Sequence, residues 1–419
     1  MPPPPSAAPH DAPVVRERGD ACPGALRLHA ADDGFLARIR IPGGLLTAHQ
    51  AERLGRAADL FGDGCLELTS RGNVQLRGLA DGCGGELAAL LDSAGLLPAP
   101  GHERIRNVVA TPVSDTMAAQ VGELDRLLCA NDRVTALSGR FLFALDDGRG
   151  DVAALGADVT VLAGRDAGPG AGRDARRAHV RLGRAPGAVE VPLAAGPRAA
   201  VLAAEYFLDA AAAAGTGAWR VAELPAGHGL REDEFAARLT AAGIPGVVVV
   251  PEVDWPYAGP VVPWGPGAGR GGALCVLPPL GRLTSAQWRV LVRAAGPDGE
   301  LRLTPWRTIV LPRTTAGDAA GDPADALAPL EAAGLVVRPG SPWQSVTSCT
   351  GRPGCAKALA DVQADARAAV PSAAALAGAA LAGTALAGAR GPLLAVHFSG
   401  CERRSAPARR RTSASCWPA

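Results

Sequence analysis

Leu46-Thr47-Ala48-His49-Gln50-Ala51-Glu52-Arg53-Leu54 is echoed about 237 residues later by Leu283-Thr284-Ser285-Ala286-Gln287-Trp288-Arg289-Val290-Leu291. A second echo keeps nearly the same offset, Leu66-Glu67-Leu68-Thr69 against Leu301-Arg302-Leu303-Thr304. Two echoes in order point to duplication, and so long a period excludes a solenoid. Each copy has the same local logic. Alternating apolar positions in Phe35-Leu36-Ala37-Arg38-Ile39-Arg40-Ile41 predict a strand that ends at Pro42-Gly43-Gly44. Thr47 then supplies an N-cap for a helix through Ala57, and strand character returns at 66–69 and 73–77. The expected fold class is α+β, in two pseudo-symmetric halves, each a small α+β unit followed by a larger one.

The bulk properties agree with a protein of several compact units. The chain has 419 residues, 48% of them apolar, and a formal net charge of +1. That charge gives no reason to expect nucleic acid or an anionic membrane as a partner, and 4% aromatic residues argue against a single-strand stacking platform. Lys357 is the only lysine, so arginine carries the positive charge in an Ala-, Gly- and Pro-rich chain. The opening 20 residues contain charges and lack an apolar signal-peptide region, and the Ala- and Gly-rich stretch 371–389 is too weakly apolar for a membrane span. The expectation is a cytoplasmic protein. Nine cysteines in such a chain point to metal ligation by a subset rather than to a disulfide framework.

That subset stands near the C-terminus. Cys349 and Cys355 flank Thr350-Gly351-Arg352-Pro353-Gly354, and Cys401 follows Phe398-Ser399-Gly400. Gly and Pro between two thiols let the backbone wrap a bulky inorganic core, which suits an iron–sulfur cluster better than zinc. A helix expected over 356–369 would place Cys355 at a helix N-terminus, where thiolate charge is favoured.

Several motifs together resemble the sulfite/nitrite reductase superfamily and, within it, the precorrin-3B synthases. They are Ala21-Cys22-Pro23-Gly24-Ala25-Leu26, Glu67-Leu68-Thr69-Ser70-Arg71-Gly72-Asn73-Val74-Gln75-Leu76-Arg77, Glu103-Arg104-Ile105-Arg106-Asn107-Val108-Val109 and Leu303-Thr304-Pro305-Trp306-Arg307. The cysteine loop and His397-Phe398-Ser399-Gly400-Cys401 complete the set. The resemblance implies two halves, each a ferredoxin-like unit plus a larger sirohaem-type α/β unit, with a reduced tetrapyrrole beside a [4Fe–4S] cluster at their interface. It divides the chain into a disordered leader 1–24, ferredoxin-like units at 25–98 and 273–338, and larger units at 99–255 and 339–405. A linker at 256–272 and an atypical tail at 406–419 make up the rest.

The resemblance further implies an oxygen-dependent monooxygenase of aerobic cobalamin biosynthesis, acting on precorrin-3A and O2. It would hydroxylate the ring at C20 and close a γ-lactone, with NADH or another reductant as electron donor and an additional non-haem iron as a possible centre. The alternative within the superfamily is a sulfite or nitrite reductase holding sirohaem. Arg71, Arg106 and Arg140 are the expected tetrapyrrole carboxylate ligands, because guanidinium forks pair with carboxylates bidentately. Cys349, Cys355 and Cys401 are the expected cluster ligands. The family pattern puts a fourth cysteine at position 405, where this chain has Ser405; Cys416, eleven residues on, is a poor substitute. The residues after Arg404 read as a change of frame in the coding sequence.

Overall fold

The computed structural model describes residues 20, 22–164, 176–250, 266–268, 273–312, 323–370 and 396–401. The first ferredoxin-like unit supplies β1 (His29–Ala31), β2 (Gly34–Ile39), β3 (Leu45–Thr47), α1 (Ala48–Phe61), β4 (Cys65–Leu68), β5 (Val74–Leu79) and α2 (Gly84–Ser93). A larger unit follows, with β6 (Val108–Ala110), α3 (Asp115–Cys129), β7 (Phe143–Asp146), β8 (Val159–Ala163), β9 (Arg177–Leu182), β10 (Ala188–Pro192), α4 (Gly196–Ala214), α5 (Glu232–Ala241) and β11 (Val247–Val249). The second ferredoxin-like unit contains β12 (Gly267–Ala268), β13 (Leu274–Val276), β14 (Arg282–Thr284), α6 (Ser285–Ala295), β15 (Glu300–Leu303), β16 (Ile309–Leu311) and α7 (Pro323–Ala332). A short parallel pair, β17 (Val346–Ser348) and β18 (Val396–Phe398), carries the cysteine segments.

Capping fixes where α1 and α6 begin. Thr47 accepts from the Gln50 amide while Gln50 reaches back to the Thr47 amide, and Thr284 and Gln287 repeat the same capping box. The apolar stripes that follow bury Leu54, Ala57 and Ala58 on α1 and Trp288 and Leu291 on α6 in one common core. Trp288 is wholly buried, its indole N–H donating to the Ala51 carbonyl at 2.7 Å. Gly55 leaves room for the ring, since a Cβ there would stand 2.7 Å from Trp288 Cδ1.

The duplicated units are not independent. Strand order is β1-β2-β5-β4-β14 in one five-stranded sheet and β12-β13-β16-β15-β3 in the other. Each sheet is thus closed by a strand from the opposite unit, with Leu283 opposite Leu66 and Leu46 opposite Leu301. The segments 25–98 and 273–338 therefore exchange strands rather than fold side by side. A six-stranded mixed sheet, β11-β10-β9-β8-β7-β6, forms the larger unit over a core shared with α3 and α4. Arg302 ties it to the second small unit, donating to the Pro112 carbonyl at 3.0 Å and to Asp115 at 2.8 Å.

Three sequence expectations need correction. The last residues assigned to the leader are held in place, because Asp20 accepts from the Gly139 amide at 2.6 Å and the Gly24 carbonyl accepts from the Arg38 amide at 3.2 Å. The stretch assigned to the linker contains β12. The helix after the cysteine loop begins at 362 rather than 356 and continues to 370, the last described residue of that segment, because Asp361 caps it by accepting from the Gln363 and Ala364 amides. Cys355 consequently sits in a turn, with the Ala358 amide donating to its carbonyl at 2.9 Å. Most of the expected loops near 164–177 and 314–325, the Ala-rich stretch 373–389, Ser405 and Cys416 lie outside the described residues.

Candidate functional site

The turn between β4 and β5 presents Arg71. Thr69 donates its amide to the Asn73 carbonyl at 2.9 Å and accepts the Asn73 amide on its hydroxyl at 3.1 Å. Gly72 completes the turn at φ +67°, a conformation that costs glycine nothing. Asn73 is fully buried and links the small and larger units, its side chain accepting from the Ile41 amide at 2.9 Å and donating to Asn107 at 3.1 Å.

Arg71 does not stand alone. Its Nη1 donates to the Gly139 carbonyl at 3.3 Å, and Arg40 Nη2 donates to the same oxygen at 3.3 Å. Arg40 also donates through Nε to the Arg104 carbonyl and is only 4% exposed. Arg38, one pleat back on β2, gives Nη2 to Gln75 at 3.1 Å and leaves a buried Nε with no hydrogen-bond acceptor among the described residues. None of the three forms an ion pair with a carboxylate among the described residues. Burial, then the charges of Arg38 and Arg71, push Arg40 down to about 9. Burial, then the Arg220 charge, push Arg71 down to about 10. A guanidinium keeps its proton, so the three stand as largely buried positive charges with no carboxylate ion-paired to them among the described residues.

Opposite this cluster lies the loop 137–140. Asp20 accepts from the Ser138 hydroxyl at 2.9 Å and from the Gly139 amide. Burial alone would raise its carboxyl; hydrogen bonds from the thiol and amide of Cys22 and from Gly139 and Ser138 outweigh that and hold it at about 2. The Cys22 thiol is pushed up by burial and by Asp20. Arg140 is exposed and stacks over the Trp219 ring, 5.0 Å from its centroid. Arg220 is committed to the buried Asp158, with Nε 2.5 Å from Oδ2.

Of the three arginines expected from sequence, Arg71 and Arg140 flank Gly139, whereas Arg106 is turned inward. It forks onto Asp125 at 2.6 and 2.7 Å, donates to the Leu96 carbonyl at 3.0 Å and is 4% exposed. Its guanidinium is occupied by the fold and unavailable to a ligand. Arg38 and Arg40 join the cluster instead. Their only sequence signal is two charged positions alternating with apolar ones along 35–41, which reads as a solvated face.

The cysteine segments meet through β17 and β18. Cys349 donates its amide to the Phe398 carbonyl at 3.0 Å, and the Gly400 amide donates to Cys349 Sγ at 3.3 Å, the kind of bond that steadies a thiolate. Arg77 joins this turn to the first sheet, forking onto Asp33 and donating to the Gly354 carbonyl at 2.6 Å. A cavity of about 190 Å³ lies between them, lined by Glu67, Arg77, Arg282, Arg352 and Gln363 among others. Burial lifts the Glu67 carboxyl, against the pull of Arg77 and Arg282. Yet among the described residues no three Cys, His, Asp or Glu side chains converge as a metal-ligand group. The backbone draws the Cys349 and Cys401 segments together, and the fourth position of the expected ligand set, Ser405, lies outside the described residues.

The family model for the nitrite/sulfite reductase ferredoxin-like half domain matches residues 28–93 and again 267–321, the two strand-exchanging units. Both units thus carry the ferredoxin-like half domain of the nitrite/sulfite reductases. Similar curated proteins include a ferredoxin–nitrite reductase of Synechococcus elongatus, 31% identical over 128 residues, and a precorrin-3B synthase of Sinorhizobium sp., 38% identical over 88 residues. These matches take in 27% and 21% of this chain and only 25% and 19% of those relatives. The solved Mycobacterium tuberculosis NirA protein shares the fold, at a TM-score of 0.66 and 21% identity, over 88% of this chain and 68% of that one. Among the described residues no helix is long and apolar enough to cross a membrane.

Proposed function

We propose that the chain binds a polycarboxylate tetrapyrrole on the Arg38, Arg40 and Arg71 face and acts on it as a precorrin-3B synthase-like monooxygenase. The observation that carries this reading is three crowded guanidiniums with no carboxylate partner among the described residues. A ligand ringed with carboxylates meets that demand, and charge-assisted forks would orient it. Arg140, exposed over Trp219, is placed to meet a further arm of the ligand. The segment similar to a precorrin-3B synthase favours precorrin-3A over other tetrapyrroles as substrate. In such a reaction one oxygen atom of O2 enters the ring at C20 and the other leaves as water. Two electrons come from a reductant of the NADH class, and an acetate arm closes the γ-lactone. The arginines in this scheme bind and orient; the described residues offer no group for oxygen activation.

The test is incubation of the full chain with precorrin-3A, a reductant and O2, followed by mass spectrometry. The expected product has gained one oxygen atom, and Arg71→Ala abolishes most of the conversion. The nitrite reductase similarity supplies the competing outcome. A tightly held sirohaem spectrum, with reduction of sulfite or nitrite and no change in precorrin-3A, would replace the synthase reading by the reductase one.

A further inference from the structure

The second unit repeats the arginine-bearing turn with an arginine in place of its glycine. Thr304 donates its amide to the Thr308 carbonyl at 2.9 Å, accepts the Thr308 amide on its hydroxyl at 3.3 Å, and accepts the Arg307 amide on its carbonyl at 3.0 Å. The Thr69 turn makes the same three bonds, with Asn73 and Gly72 in the places of Thr308 and Arg307. Arg307 therefore occupies the position of Gly72 and shares its left-handed backbone, φ +61° against +67°. A side chain there is strained, and such strain persists where the surroundings or a function hold it.

Among the described residues only one other non-glycine has positive φ, Leu280 at +60°, which stands where the first unit has Gly43. Packing accounts for Leu280, which is buried with Val346, Ala366 and Val370. Nothing comparable holds the Arg307 guanidinium: it has no ion pair and no side-chain hydrogen bond among the described residues. Its stem is nonetheless fitted into place, since a Cβ on Gly281 would stand 2.8 Å from Arg307 Cδ and 2.9 Å from its Cβ. Burial lowers its pKa, and the one carboxylate whose charge it feels is Glu67. Glu67 already accepts from Gln75 at 3.0 Å and faces Arg282 at 4.0 Å, while Gln75 holds Arg38. A polar seam thus runs from the first-unit cluster through Gln75 and Glu67 toward Arg307.

We infer that Arg307 is a carboxylate-binding residue supplied by the second unit, so that the ligand held by Arg38, Arg40 and Arg71 spans both halves of the duplicated fold. This inference rests on the polycarboxylate reading above. The test is fluorescence titration of the full chain with uroporphyrin III, an octacarboxylate, alongside urea unfolding of each variant. Arg307→Gly restores the residue of the first unit and removes the strain. It is expected to weaken binding by about tenfold or more, the worth of a charge-assisted hydrogen bond, with an unfolding midpoint equal to or above that of the parent. Arg307→Lys, which keeps charge but not the fork, falls between them. Affinity of Arg307→Gly within about twofold of the parent, or a lowered midpoint marking a structural role, overturns the inference. Arg71→Ala separates the two levels. If it weakens binding while Arg307→Gly does not, only the second-unit assignment fails. If the parent shows no saturable binding, the polycarboxylate reading fails and carries the inference with it.

Discussion

Arginine at neighbouring positions does opposite jobs in this protein, and the partner decides which. Arg106 is buried against Asp125, so Arg106→Ala breaks an enclosed pair; a loss of about 3 kcal/mol in urea unfolding is expected. Arg71 has no such partner among the described residues, and Arg71→Ala should leave apo stability unchanged or higher. Asp20 is the anionic counterpart, bonded to the loop 137–140 that faces the cluster. Its folded value, about 2, lies below the ordinary 3.8, so folding favours the ionised form. That contribution is complete above pH 4 or so and is lost as pH falls through the folded value. Asp20→Asn should therefore cost about 1 kcal/mol at pH 7, after discounting for partial exposure, and the difference from the parent should vanish only below about pH 2. Arg71 and Arg140 stand out in the sequence because each sits in a motif, and the fold places both beside Gly139. Arg38 and Arg40 do not stand out, because alternation along 35–41 says which face is polar and cannot say that the loop 137–140 covers it. Arg106 misled for the complementary reason: its partner, Asp125, is nineteen residues away on α3.

At the scale of elements, local signals served where the stabilising bond is local. Thr47 is readable as a cap because it bonds three residues ahead, and Thr284, its counterpart in the echo, makes the same bond. Thr47→Ala and Thr284→Ala should each lower stability by about 1 kcal/mol in thermal or urea unfolding. The Ala-rich run from 356 has helix propensity throughout, yet the helix begins only at 362. The turn instead binds elsewhere: Leu359 donates its amide to the Gly400 carbonyl at 2.7 Å and Arg352 donates its amide to the Ala360 carbonyl at 3.0 Å. Tertiary hydrogen bonds outweighed propensity there.

For the whole molecule, the decisive feature is reciprocal strand exchange. With β14 removed, β4 becomes an open edge; with β3 removed, β15 does. Separating the chain between 250 and 266 should yield two pieces that each expose apolar surface and fail to give dispersed amide NMR spectra alone, yet copurify when coexpressed. Two independently folded halves would refute the shared-core account. Duplication, α+β class, cap positions and a first-unit arginine turn followed from the chain alone, because short-range periodicity and repeated spacing encode them. Which strand completes which sheet, which guanidiniums remain without counter-charge and whether the cysteines converge are set by contacts between residues far apart in sequence. Those contacts exist only after the two copies have closed on a common core, so no local pattern records them.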